Sequence, residues 1–221
     1  MNVKPKIAVI LSGCGVQDGA EIHESVLSLL AIDQLGADAA CYAPDTEQTH
    51  VINHLTGEEM PEKRNVLVEA ARIARGKIAD LATLNPDDVD ALLFPGGFGA
   101  AKNLSSFAFD GAGCTVHPAV EAAVKSMVEA GKPIGALCIS PAVMAKILPG
   151  ALVTIGNDTG TIETIKAMGG KHEITSHGQI TFDPKYKLVC APCYMLPANL
   201  WQIFQDAEAV VRRLLTLTKK G

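Results

Sequence analysis

Pro133-Ile134-Gly135-Ala136-Leu137-Cys138-Ile139-Ser140-Pro141-Ala142 reads as a short buried strand that turns sharply into a helix, with a cysteine at the corner. The continuous apolar run Ile134 to Leu137 suits a central parallel strand, and Pro141 suits the first turn of a helix. Gly135 and Ala136 are small enough for close packing at a bend. The pattern is that of a nucleophile elbow, here with cysteine where Gly-x-Ser-x-Gly enzymes carry serine. A helix N-terminus offers unpaired N–H groups and partial positive charge, both of which favour a thiolate and later an oxyanion. Free cysteine is also commonly a small buried hydrophobe, so the elbow has to be weighed with what surrounds it.

Outward from the elbow, strand and helix signals alternate. Lys6 to Leu11 is a β-branched apolar run ending in Ser12-Gly13-Cys14-Gly15. Ile22, Val26, Leu29, Leu30 and Leu35 recur at helical spacing before Gly36, and Asp38 to Ala43 follows as a second strand, completing a βαβ unit. Residues 45 to 65 break the alternation as an excursion with hairpin character, and Val66 to Arg75 is an amphipathic helix. Asp90 to Phe94 is a third buried strand that runs into Pro95-Gly96-Gly97-Phe98-Gly99. Glycines there let backbone N–H groups approach a ligand, and without a Lys-Ser/Thr ending the loop suits an oxyanion better than a nucleotide phosphate. Asn103, Ser105 and Ser106 follow as a polar loop, and Pro118 to Ala130 is helical. Beyond the elbow helix, expected to end near Leu148, the reading predicts a strand over 152–155 and a helix over 161–168. It then predicts an antiparallel pair from Ile174 to Phe182 and Lys187 to Ala191, and a long helix over 197–217.

Composition sets the outer limits. The 221 residues, 48% hydrophobic with 20 glycines and 5% aromatics, fit one α/β domain spanning 1–221. A net charge of −5 argues against nucleic acid or an anionic membrane surface as partner. The N-terminus matches neither a secretory signal nor a spanning helix, and six scattered cysteines read as reduced thiols, so a cytoplasmic enzyme is expected. Six histidines lack metal-ligand spacing, so no metal site is expected. Cys190-Ala191-Pro192-Cys193 leaves a thioredoxin-type redox turn open beside a plain structural turn. Cys14 either lines the pocket or is merely small.

Taken together, Leu11-Ser12-Gly13-Cys14-Gly15, Gly19-Ala20-Glu21-Ile22-His23-Glu24, Pro95 to Leu104 and the Cys138 elbow resemble the PfpI-type, class I glutamine amidotransferase-like superfamily, and within it the Elb (enhancing lycopene biosynthesis) branch. The resemblance covers nearly the whole chain. It implies a flavodoxin-like α/β/α sandwich with a mostly parallel sheet, a homodimer, and Cys138 as nucleophile. It also implies a glutamate early in the first helix that hydrogen-bonds the thiol; counting back from Gly36 selects Glu24 over Glu21. The oxyanion donors implied are the N–H groups of Gly97 and Ile139, with Gly96 and Asn103 completing the substrate-binding set. Many relatives carry a histidine directly after the elbow cysteine or after the next strand, where this chain has Ile139 and Gly156. That weakens amidase chemistry, which needs a general acid for the leaving amine. The expected activity is a glutathione-independent glyoxalase that converts small dicarbonyl compounds to 2-hydroxy acids without a cofactor, or a deglycase-like enzyme that runs the same chemistry on glycated thiols or amines. The alternative is a non-catalytic or redox-sensing protein linked to isoprenoid biosynthesis, since elbow cysteines oxidise readily.

Overall fold

The computed structural model describes residues 4–218. In chain order the elements are β1 (Lys6–Ile10), α1 (Ile22–Gln34), β2 (Asp38–Ala43), α2 (Val66–Ile73), β3 (Ile78–Asp80) and β4 (Ala91–Phe94). Next come α3 (Phe98–Lys102), α4 (Phe107–Asp110), α5 (Pro118–Glu129), β5 (Ile134–Leu137), α6 (Ser140–Ile147) and β6 (Leu152–Val153). The chain continues through α7 (Thr159–Ala167), β7 (Lys171–His172), β8 (Thr181–Asp183), β9 (Leu188–Ala191) and α8 (Leu200–Thr218). Seven strands form one sheet in the order β3-β2-β1-β4-β5-β9-β8. Every pair is parallel except β8 with β9.

Alternate side chains of the central strands feed two cores. Ala8, Ile10, Leu92 and Phe94 pack with α5, α6 and α7, while Ile7, Val9, Leu93 and Leu137 pack with α1, α2 and α8. That burial on both faces explains why these strands read as unbroken apolar runs. The layers are those of a flavodoxin-like sandwich. Connections leave β1 toward β2 and return to β4 on its other side. A crevice therefore opens where β1 and β4 end, at the reversal of strand order.

Several sequence expectations shift. The spacing in α1 finds the helix, but its apolar stripe faces outward: Ile22, Val26 and Leu30 are 43%, 48% and 49% exposed. Glu24, Ser25, Ser28, Ala31 and Ile32 form the buried face. The strand expected over 152–155 pairs only at Leu152–Val153, with β7, in a separate two-stranded sheet. The antiparallel partner of β9 shortens to Thr181–Asp183, and the short β3 extends the far edge. Asn103, Ser105 and Ser106 stay in a loop, which is flanked by two short helices, α3 before it and α4 after it.

Candidate active site

Cys138 sits between β5 and α6 with φ +59°, a left-handed backbone that costs a non-glycine residue about 1–3 kcal/mol and recurs at functional corners. The turn is fixed from both sides. Cys138 N–H donates to Ala191 O at 3.0 Å, and Ser140 Oγ donates to Pro95 O at 2.8 Å, which ties the elbow to the glycine loop.

Glu24 reaches the sulfur from the first turn of α1. Its carboxyl is fully buried and lies beside the Cys138 side chain. Gly96 N–H donates to its Oε2 at 2.8 Å and Tyr194 N–H to its Oε1 at 3.2 Å. Glu21 is instead the cap of the helix: its Oε2 accepts from Glu24 N–H at 2.7 Å. Gly96 has to be glycine, since a Cβ there would overlap Cys138 Cβ and stand 2.8 Å from Glu24 Oε2 and 2.9 Å from Cys138 Sγ. Gly97, at φ +94°, has no room for a side chain against the backbone of Gly19 and Glu21. The N–H groups of Gly97 and Ile139 favour the charged form of the sulfur.

The electrostatics correct one expectation. Helix-terminus reasoning anticipates an ionised sulfur, but burial first, and the Glu24 charge second, raise the Cys138 thiol well above its ordinary value. The Gly97 and Ile139 N–H groups oppose this without overcoming it. Burial, helped by Glu21, pushes Glu24 up to about 7. The pair therefore rests as thiol and carboxylate above that pH, and one proton moved from Sγ to Glu24 makes the thiolate with no change in net charge.

Asn103 does not join the set. Its amide nitrogen donates to Ser12 O and Asp18 O, both at 2.9 Å, and its oxygen accepts from Thr49 N–H at 3.0 Å, so it braces the loops behind the site. Cys14 is absent from the cleft wall, where Val16 stands instead. The Cys190–Cys193 turn has none of the properties of a redox pair: both thiols are buried, and burial raises both, Cys190 to about 12. His23 Nδ1 is bonded to Tyr194 Oη at 2.8 Å, and His177 bridges Asp206 and Pro197 O, so neither ring bonds the sulfur. Among the described residues no cluster of three His, Cys, Asp or Glu side chains is placed to hold a metal, and no helix is long and apolar enough to cross a membrane.

Above the sulfur lies a cleft of about 450 Å³, lined by the elbow, α3, α4, the start of α7 and the Tyr194 turn. Tyr194 is the residue that sequence reasoning missed. It holds Glu24 through its backbone, which no side-chain pattern reveals.

No family model matches the chain. The chain is 47% identical over 225 residues to the human protein named glutamine amidotransferase-like class 1 domain-containing protein 3, mitochondrial, covering 97% of this chain and 84% of that one. It is 45% identical over 227 residues to the rat ES1 protein homolog, mitochondrial, covering 98% and 85%. A crystal structure of an isoprenoid biosynthesis protein with amidotransferase-like domain from Ehrlichia chaffeensis superposes with a TM-score of 0.91 at 36% identity, covering 97% of this chain and all of the other. The expectation of a cytoplasmic enzyme is corrected by these names, since both mammalian relatives are mitochondrial proteins. Its physical basis was too coarse: reduced, scattered cysteines suit any reducing compartment. With identity this high over most of both sequences, the chain belongs to the ES1 group of class 1 glutamine amidotransferase-like proteins.

Proposed function

We propose that this protein is a glyoxalase-type enzyme that converts 2-oxoaldehydes to 2-hydroxy acids through Cys138 and Glu24, without a cofactor. The observation that carries the reading is the buried Glu24 carboxyl beside a thiol at a strained corner, with the Gly97 and Ile139 N–H groups favouring negative charge on the same sulfur.

In this mechanism Glu24 accepts the thiol proton as the sulfur adds to the aldehyde carbon. The alkoxide that forms is held by the Gly97 and Ile139 N–H groups and takes that proton back from Glu24, giving a hemithioacetal and leaving Glu24 again a carboxylate. Glu24 then removes the proton from the carbinol carbon, and its return to the neighbouring carbon through an enediol leaves a 2-hydroxy thioester. Water cleaves the thioester, releasing the acid and restoring the thiol. The oxidation of one carbon balances the reduction of the other, so no outside oxidant is needed.

Cys138→Ala and Glu24→Gln are each expected to reduce glyoxal conversion to background, measured as 2-hydroxy acid formed. Substantial activity in either variant refutes the mechanism. Because Glu24 must be unprotonated to receive the thiol proton, kcat/KM is expected to fall about tenfold per pH unit below about 7. The homodimer is part of the proposal, and light scattering on the purified protein tests it. The redox-sensing alternative calls for an accessible, acidic thiol, and the burial of Cys138 at 7% exposure favours it less.

A further inference from the structure

The cleft is far larger than the smallest substrates of the proposed reaction require. Its volume of about 450 Å³ lies within the range of roughly 300–1,000 Å³ typical of sites for drug-sized ligands. A two-carbon dialdehyde, by contrast, needs the space of only a few water molecules at about 30 Å³ each.

Its chemistry is one-sided. Val16, Phe98, Phe107 and Met195 make the walls, and Val16 and Phe98 remain 38% and 52% exposed, so large apolar side chains gather at the mouth with nothing covering them. The charged groups in the lining are Glu21 and Asp158, and no lysine, arginine or histidine accompanies them among the described residues. Lys102, 5.2 Å from the Phe98 ring centroid, donates to Gln17 O at 3.0 Å. Asp158 caps α7 by accepting from Thr161 N–H at 2.8 Å, which fixes its carboxylate at the rim. An anionic group entering this cleft would lose water and meet like charge.

We infer that the site takes carbonyl compounds with an uncharged apolar body of about aromatic size and rejects anionic ones, with Asp158 as a charge-selecting residue at the rim. That the body belongs to a substrate rests on the glyoxalase-type reading, whereas the selection by shape and charge does not.

Two measurements separate the two claims. In the first, Cys138 of the full-length protein is alkylated with N-phenyl iodoacetamide, iodoacetamide or iodoacetate. The sulfur displaces iodide in each case, and the rates are read by mass spectrometry and divided by those for free glutathione. The aromatic neutral reagent is expected to outpace iodoacetate by about tenfold or more after this correction. Asp158→Asn, which keeps a capping side chain, is expected to narrow that ratio. Ala108→Trp, at an exposed position on the cleft wall, is expected to slow the aromatic reagent more than iodoacetamide. Equal corrected rates, or a ratio untouched by both variants, overturn the inference. In the second, phenylglyoxal is expected to show a kcat/KM about tenfold above that of glyoxal, and 4-carboxyphenylglyoxal one below phenylglyoxal. Turnover of glyoxal with no gain for phenylglyoxal counts against the inference alone. Selective alkylation with no dicarbonyl turned over counts against the glyoxalase reading alone.

Discussion

Glu24 links the chemistry of the site to the stability of the fold. Buried and held at about 7 against an ordinary value of 4.5, it keeps its proton in the folded chain over a pH range where the unfolded chain releases it. Its folded pKa lies above the unfolded one, so its contribution to stability is full below about 4.5 and is lost as pH rises through about 7. The loss across that window is about 3 kcal/mol. Urea denaturation of wild type and Glu24→Gln between pH 4.5 and 7.5 is expected to show the variant gaining on wild type by that order; parallel curves would contradict it. Gly96 is the other decisive residue. Gly96→Ala is expected to cost about 1–3 kcal/mol by overpacking and to slow alkylation of Cys138 sharply, because the added methyl intrudes between the sulfur and its carboxyl. Unchanged alkylation would mean that Glu24 and Cys138 act independently.

Helix α1 shows what happens when a site sets an element's buried face. Its inner side carries Glu24, Ser25 and Ser28 as well as Ile32, and it packs on α8, so Ile22, Val26 and Leu30 are displaced to the outside. Ser28 Oγ is buried without a hydrogen-bond partner. Ser28→Ala is therefore expected to stabilise the protein by about 1 kcal/mol, as a rise in thermal midpoint, since it removes an unpaired hydroxyl and improves helix propensity. A fall would point to a partner that the folded chain supplies. The same helix marks the limit of sequence reading. The apolar runs at Ile7–Ile10, Ala91–Phe94 and Ile134–Leu137 announce their strands because both faces are buried, and the elbow is visible because Pro141 opens a helix just after it. Periodicity finds α1 but not its orientation, as Glu24 and Ser25 on its inner face are held by specific bonds that no hydropathy pattern encodes. The roles of Asn103 and Tyr194 were hidden for the same reason. One is decided by three bonds to distant backbone and the other by a backbone N–H.

Across the whole molecule, the residues that matter to Cys138 come from both ends of the chain. Asp206 on α8 is fully buried, and its carboxylate accepts from Gly178 N–H, Cys193 N–H and His177 Nδ1. Cys193 is held at φ +42°, and the next residue supplies the N–H that grips Glu24. Asp206→Ala is expected to destabilise the fold by about 3 kcal/mol or more, because three donors lose a buried acceptor at once. Asp206→Asn, which keeps the shape, is expected to recover part of that stability and to retain more Cys138 alkylation; identical behaviour of the two variants would remove the carboxylate from the account. The order of synthesis gives this bracing a further meaning. Residues 24, 96 and 138 leave the ribosome well before the turn that clamps them, and that turn is fastened only when Asp206 docks. A nascent chain thus lacks the Tyr194 and Asp206 bonds around Glu24 until its last helix has been made.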